Sequence, residues 1–212
     1  MPQILKISAD YTEENILADA AAIISRGGVI AYPTETIYGL GADATNERAI
    51  HRIFELKGRD FANPISVIIG KREDVYPLAR NVPDDAKKLM DAFWPGPLTI
   101  VLEAADGVSP LLTAGTGKIG IRLSGHNGAR RIAGLTGKPL TATSANLSGA
   151  PECLDADQVI RQIGGKIDAV VDLGKTGNPM ASTIIDASGH PAKILRPGAI
   201  SAETIRKYIH LK

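Results

Sequence analysis

Three short segments of the sequence concentrate charged and hydrogen-bonding side chains among glycines. The first, Pro33-Thr34-Glu35-Thr36-Ile37-Tyr38-Gly39-Leu40-Gly41, joins two threonines, a carboxylate and a tyrosine to two glycines. Such a loop offers several donors and acceptors and lets a ligand approach the backbone closely. It lacks the Gly-Lys-Ser/Thr ending of a phosphate-binding P-loop, and an ordinary polar turn accounts for its composition equally well. The second segment, Lys57-Gly58-Arg59-Asp60-Phe61-Ala62-Asn63-Pro64, sets Lys57 and Arg59 two residues apart. A compact ammonium and a bidentate guanidinium can converge on one polyanion, although for the pair alone a basic helix C-terminus is the simpler account. The third, Thr141-Ala142-Thr143-Ser144-Ala145-Asn146-Leu147-Ser148-Gly149, alternates Ser144 and Asn146. Extended backbone would send both to one side, suited to phosphate, ribose or base edges, but Ser/Thr/Asn-rich turns are also common.

The surrounding pattern supplies elements to hold these segments. Ile16, Ala20, Ile23 and Ile24 recur at helical spacing behind a Thr12 cap, and Gly27-Gly28 stops the helix at about Ser25. Val29 to Tyr32 reads as a short buried strand ended by Pro33, which cannot donate to a ladder. A helix from Thr45 or Asn46 to Lys57, with Gly58 as terminator, carries the second segment. Further helices are expected at Asp84 to Phe93, His126 to Leu135, Asp155 to Ile163 and Ser201 to Ile209. Strands are expected at Ile65 to Ile69, Leu98 to Leu102, Ile119 to Leu123, Pro139 to Ala142, Ala169 to Asp172, Thr183 to Asp186 and Lys193 to Leu195. Alternation of the two along the chain favours an α/β layer structure, and the short Gly/Pro-rich loops leave no interdomain linker, so one domain over residues 1–212 is expected.

Composition narrows the function. Of 212 residues, 44% are hydrophobic and 22% charged, as in ordinary globular proteins. With 24 basic against 23 acidic residues the formal net charge is +1, so any anion site must be a local cluster rather than a basic coat. The single cysteine, Cys153, excludes an internal disulfide and reads as a packed thiol, and no Cys/His pair has zinc-ligand spacing. Met1 to Asp10 lacks a basic start followed by an apolar run, and no stretch approaches the ~18 apolar residues that span a bilayer. A cytoplasmic protein with no membrane partner is expected.

Taken together, the motifs become specific. Ala31 to Gly41, Lys57-Gly58-Arg59 with Asn63-Pro64, Trp94-Pro95-Gly96-Pro97-Leu98-Thr99, Ser144-Ala145-Asn146-Leu147-Ser148-Gly149 and Leu195-Arg196-Pro197-Gly198 closely resemble the YrdC/TsaC-like family of threonylcarbamoyl-AMP synthases, in the family's order and over nearly the whole chain. The resemblance implies a twisted open mixed sheet with flanking helices around a large, positively lined cavity. It implies a reaction of L-threonine, bicarbonate or CO2 and ATP, giving threonylcarbamoyl-adenylate and pyrophosphate for the threonylcarbamoyladenosine modification of transfer RNA. The implied partners beyond these substrates are tRNA or the downstream tRNA-modifying proteins.

Matched position by position, the resemblance assigns Thr36, Arg122, Ser182 and backbone near Ala142 to threonine, with Arg122 on its carboxylate. It assigns Lys57, Arg59, Asn63, Ser144, Asn146 and Arg196 to ATP, with Lys118 touching the nucleotide through backbone. The chemistry is dominated by charge, because a carbamate must attack the α-phosphorus beside a triphosphate and a carboxylate. Lys57 and Arg59 are the expected catalytic cations, helped by Arg122 and Arg196. None of His51, His126, His190 and His210 falls in a motif, so no histidine base is expected, and Glu35 is expected to be structural. Mg2+ is expected to arrive with the triphosphate, without a protein metal site.

Two departures stand out. Some relatives hold threonine with a histidine where this chain has Ile68, and others carry a second C-terminal domain, whereas this sequence resembles the short form. Two rival readings remain. One is an RNA-binding module of the same fold, against which stands an aromatic content of 4% with no stacking platform. The other is a related carbamoyl-transfer enzyme with another substrate.

Overall fold

The computed structural model describes residues 1–177 and 180–212. In chain order its elements are β1 (Gln3–Lys6), α1 (Glu13–Ser25), β2 (Ile30–Pro33), β3 (Tyr38–Gly41), α2 (Glu47–Lys57), β4 (Ser66–Ile68), α3 (Asp84–Phe93), β5 (Leu98–Glu103), α4 (Pro110–Thr113), β6 (Lys118–Arg122), α5 (Asn127–Thr136), β7 (Leu140–Ser144), α6 (Ala156–Ile163), β8 (Ala169–Asp172), β9 (Thr183–Asp186), β10 (Lys193–Arg196) and α7 (Ala202–Arg206). All six expected helices form. Thr12, Asn46, His126, Asp155 and Ser201 are the caps themselves, with side chains accepting amide hydrogens of the first turn. Gly58 closes α2 in the left-handed conformation at φ 58°.

Among these strands and α-helices three were not expected: β1, the single turn α4, and β3, which turns the first motif from a loop into a hairpin. Glycine is a poor strand former, which hid β3. Both of its glycines are needed because the Tyr32 ring lies over them. A Cβ on Gly41 would stand 2.5 Å from Tyr32 Cε1, and one on Gly39 would stand 3.1 Å from Tyr32 Cζ. Pro33 does not end β2 as expected but is its last paired residue, opposite Tyr38. The missing proline donor leaves nothing orphaned, because the Tyr38 N–H donates to Cys153 O and the Tyr38 carbonyl accepts from Ala145 N, each at 2.9 Å.

The strands form one open, mixed sheet in the order β1-β8-β2-β3-β7-β4-β6-β5-β9-β10. Strand β7 is its pivot. Leu140, Thr141 and Ala142 pair with β4, whereas Thr143 and Ser144 pair only with β3. Beyond Ala142, therefore, the β4 side of β7 is left open.

Alternation along each strand assigns the faces. On one face Ile30, Tyr32, Ile68 and Leu140 pack with Ile16, Ala20 and Ile24 of α1 and Ile132 of α5. On the other, Ala31, Leu40, Val67 and Ile100 pack with Ile50 and Phe54 of α2, Leu89 of α3, Val159 of α6 and Ile205 of α7. Among the described residues two long helices, α1 and α5, cover the first face, from its β1-β8-β2 end as far as Leu140 of β7 and Ile68 of β4. The remainder of that face is where a site can open.

The tight seat of Tyr32 gives a test of the hairpin. Gly41→Ala should cost about 1–3 kcal/mol through overpacking and lower the thermal midpoint. Gly165→Ala, where a Cβ meets nothing within 4 Å, should leave the midpoint unchanged.

Candidate active site

The uncovered part of the sheet forms the floor of an open cavity of about 740 Å³, mouth included. Register explains its lining. Gly39 pairs with Ser144, Ser66 with Ala142, Ile68 with Arg122, and Ile184 with both Thr99 and Arg196. These residues of six further strands and β3 thus share one face, and all of them line the cavity. Three arginines, Arg59, Arg122 and Arg196, are among the lining residues, and among the described residues no aspartate or glutamate is. The cavity is therefore a place for anions.

Its most constrained charge is Arg122, at the end of β6 and 6% exposed. The guanidinium donates from Nε to Gly96 O at 3.3 Å and from Nη2 to Thr36 Oγ1 at 3.2 Å, and pairs through Nη2 with Glu35 Oε1 at 2.8 Å. Among the described residues Nη1 has no acceptor. Thr36 and Glu35 are held by the hairpin turn, which the Thr34 hydroxyl knits by donating to Ile37 O at 2.7 Å and accepting from Thr36 N at 3.2 Å. Glu35 also accepts from the Ser124 hydroxyl, from Gly125 N at 2.7 Å and from His126 N at 3.3 Å. Burial alone would raise its pKa, but the Arg122 charge and the hydrogen bonds from Arg122, Ser124 and Gly125 outweigh that and hold it down at about 2.

Across the cavity Arg196 donates to Ser182 O at 2.7 Å and to Ser182 Oγ at 3.1 Å, and that hydroxyl lies 3.0 Å from Thr99 Oγ1. Arg59 donates to Pro64 O at 2.9 Å and Asn63 O at 3.3 Å. Burial first, and then the Arg196 charge, lower the pKa of Arg59, so the two guanidinium groups feel each other. Thr36, Arg122, Ala142, Ser182, Arg59, Ser144 and Arg196 thus meet at one cavity. Asn63, Lys57 and Asn146 border a shallower hollow that shares Arg59 and Ser144 with it.

Two expected side chains are engaged elsewhere. Lys57 is buried, and its ammonium donates to Ser144 O (2.5 Å), Asn146 O (2.7 Å) and Asn146 Oδ1 (3.1 Å). An ammonium has three protons, and these acceptors match them. Burial, and then Arg59, pull the Lys57 pKa down to about 8. Asn146 does not extend beside Ser144, because β7 ends there and the chain bends. Its amide donates to Ala150 O at 2.6 Å while its carbonyl accepts from Lys57. Lys57 in this arrangement clamps the end of β7 while still bordering the hollow that Arg59 and Ser144 share with the cavity.

Lys118 lines neither hollow. It starts β6 while Arg122 ends it, about 13 Å away at strand rise, and its ammonium pairs with Asp186 at 2.8 Å. Ile68 does line the cavity, leaving apolar surface where a histidine would offer a ring nitrogen. The four histidines stay off the lining, and Cys153 is buried, with burial raising its thiol pKa to about 11. Among the described residues no group of three His, Cys, Asp or Glu can hold a metal ion, and no helix is long and apolar enough to cross a membrane. Sequence reasoning missed the network of Gly96, Thr99 and Ser124, although the Trp94 to Thr99 turn had marked two of them.

An arginine-lined cavity on one face of an open α/β sheet defines a protein built to take small anionic molecules. The sequence model of the Sua5/YciO/YrdC family, described as Telomere recombination, matches residues 22–198, and the chain belongs to that family. It is 41% identical over 197 residues to a threonylcarbamoyl-AMP synthase of Pyrococcus abyssi, covering 93% of this chain and 58% of that protein. To a Bacillus subtilis protein of the same name it is 40% identical over 199 residues, covering 93% and 58%. The chain thus spans somewhat over half the length of these relatives. The crystal structure of P. abyssi Sua5 complexed with L-threonine superimposes with a TM-score of 0.93 at 38% identity, over 99% of this chain and 62% of that one.

Two outcomes follow from the site's own geometry. Lys57→Met should destabilise the protein by about 2–4 kcal/mol without any nucleotide present, because it leaves buried acceptors unpaired; urea unfolding measures it. Glu35 has a depressed folded pKa, so its contribution is fully present above its unfolded value of about 4.3 and fades as pH falls towards about 2. Unfolding free energies measured down that range should lose about 3 kcal/mol that the Glu35→Gln variant does not lose.

Proposed function

We propose that the chain makes L-threonylcarbamoyl-adenylate and pyrophosphate from L-threonine, bicarbonate or CO2 and ATP, a nucleotidyl transfer serving threonylcarbamoyladenosine formation in tRNA. The observation that carries the reading is Arg122: a buried guanidinium oriented by Glu35, Thr36 and Gly96, with no acceptor for Nη1 among the described residues, in a cavity also lined by Arg59 and Arg196. The names of the relatives and the threonine complex of P. abyssi Sua5 support it.

On this reading Arg122 takes the threonine carboxylate, and Thr36 and Ser182 offer hydroxyls to its polar groups. Arg59 and Arg196, with Asn63 and Ser144, receive the triphosphate. The threonine amine captures CO2 as a carbamate, whose oxygen attacks the α-phosphorus and expels pyrophosphate. Fixed cations hold the reactants in line and stabilise charge developing on the leaving phosphates. On this reading Mg2+ travels with the nucleotide through phosphate oxygens and water, and among the described residues no carboxylate lines the cavity. The substrates and tRNA would place the protein in the cytoplasm.

Purified protein incubated with ATP, bicarbonate and single amino acids should release pyrophosphate with threonine and yield the adenylate by mass spectrometry. Equal turnover with serine or alanine would sink the substrate assignment, and salt-sensitive RNA binding without turnover would favour a binding module. Arg122→Ala should raise the KM for threonine about 30- to 100-fold by removing a charge-assisted contact. Arg59→Ala should act mainly on the KM for ATP, and an unchanged value would remove its assigned role.

A further inference from the structure

Three guanidinium groups line one cavity, but their surroundings are unlike. Arg122 is paired with a carboxylate at 2.8 Å. Arg59 and Arg196 donate only to carbonyl and hydroxyl oxygens, and among the described residues neither has an ion-pair partner. Glu152 acts on Arg196 only from beyond ion-pair distance. A carboxylate beside a guanidinium cancels most of its field and repels a multiply charged group brought close, while leaving free N–H groups able to meet one carboxylate. Glu35 cannot swing away, because Ser124, Gly125 and His126 hold both of its oxygens.

We propose that Glu35 is a positioning residue that divides the cavity by charge, reserving Arg122 for a monoanionic carboxylate and leaving Arg59 and Arg196 to polyphosphate. The proposal rests on the reading that threonine and ATP share this cavity, and adds how each is kept from the other's place. Without Glu35 the three arginines form a continuous cationic wall, and a polyphosphate can slide onto Arg122.

The test is calorimetric titration of the full chain with L-threonine, with and without inorganic tripolyphosphate. In the unaltered protein, tripolyphosphate should change threonine affinity less than about threefold, whereas in Glu35→Gln it should weaken threonine binding about tenfold or more. A purely structural role would lower the thermal midpoint and weaken threonine without making the two ligands compete. Lack of competition in folded Glu35→Gln overturns the proposal. So does strong competition in the unaltered protein, a measurement that stands even if the variant does not fold. Both results leave the threonine reading intact, whereas failure of the unaltered protein to bind threonine ends that reading and this proposal with it.

Discussion

A guanidinium at the bottom of a cleft must be held charged and still, and the hold on Arg122 organises much of this molecule. Its partners come from two separated parts of the chain, Glu35 and Thr36 in the β2-β3 turn and Gly96 before β5, and meet it at the end of β6. Burying a charge is costly unless it is paired and its remaining hydrogen bonds are met. Here one carboxylate, one hydroxyl and one carbonyl meet that requirement, and among the described residues one edge of the guanidinium has no acceptor. Glu35 is in turn fixed by the turn leading into α5, so the orientation of Arg122 depends on packing well outside the cavity.

The split of β7 is the second constraint. Its first half pairs with β4 and its second half only with β3, so the sheet opens beside Thr143 and Ser144. Lys57 keeps that opening in shape by drawing the Ser144 and Asn146 carbonyls onto one buried ammonium. Carbonyl oxygens turned into a cavity would repel an anion. Gathered under Lys57, both carbonyls are met by one buried ammonium.

Elements with a strong local signal were legible. Helices α1, α2, α5, α6 and α7 follow from apolar spacing and caps, α3 from spacing alone, and eight of the ten strands from short apolar runs between Gly and Pro. Strand β3 was not, because Gly39 and Gly41 argue against a strand unless the ring they accommodate is known. The site was legible as a set of motifs but not as a division of labour. Lys57 and Asn146 have the residue types of a phosphate site and are directed at each other. Lys118 stands at the far end of the strand that ends in Arg122.

By itself the sequence determined the local propensities, the motif types and, through their order, the family. Those depend on residues near one another in the chain. Only the tertiary structure decided which side chains meet: that Thr99, Arg122, Ser144, Ser182 and Arg196 share a cavity, and that Glu35 pairs with one of its arginines while the other two have no ion-pair partner among the described residues. Strand order and register fix those meetings, and both are set by pairing between residues distant in the chain, for which no local pattern carries a signal.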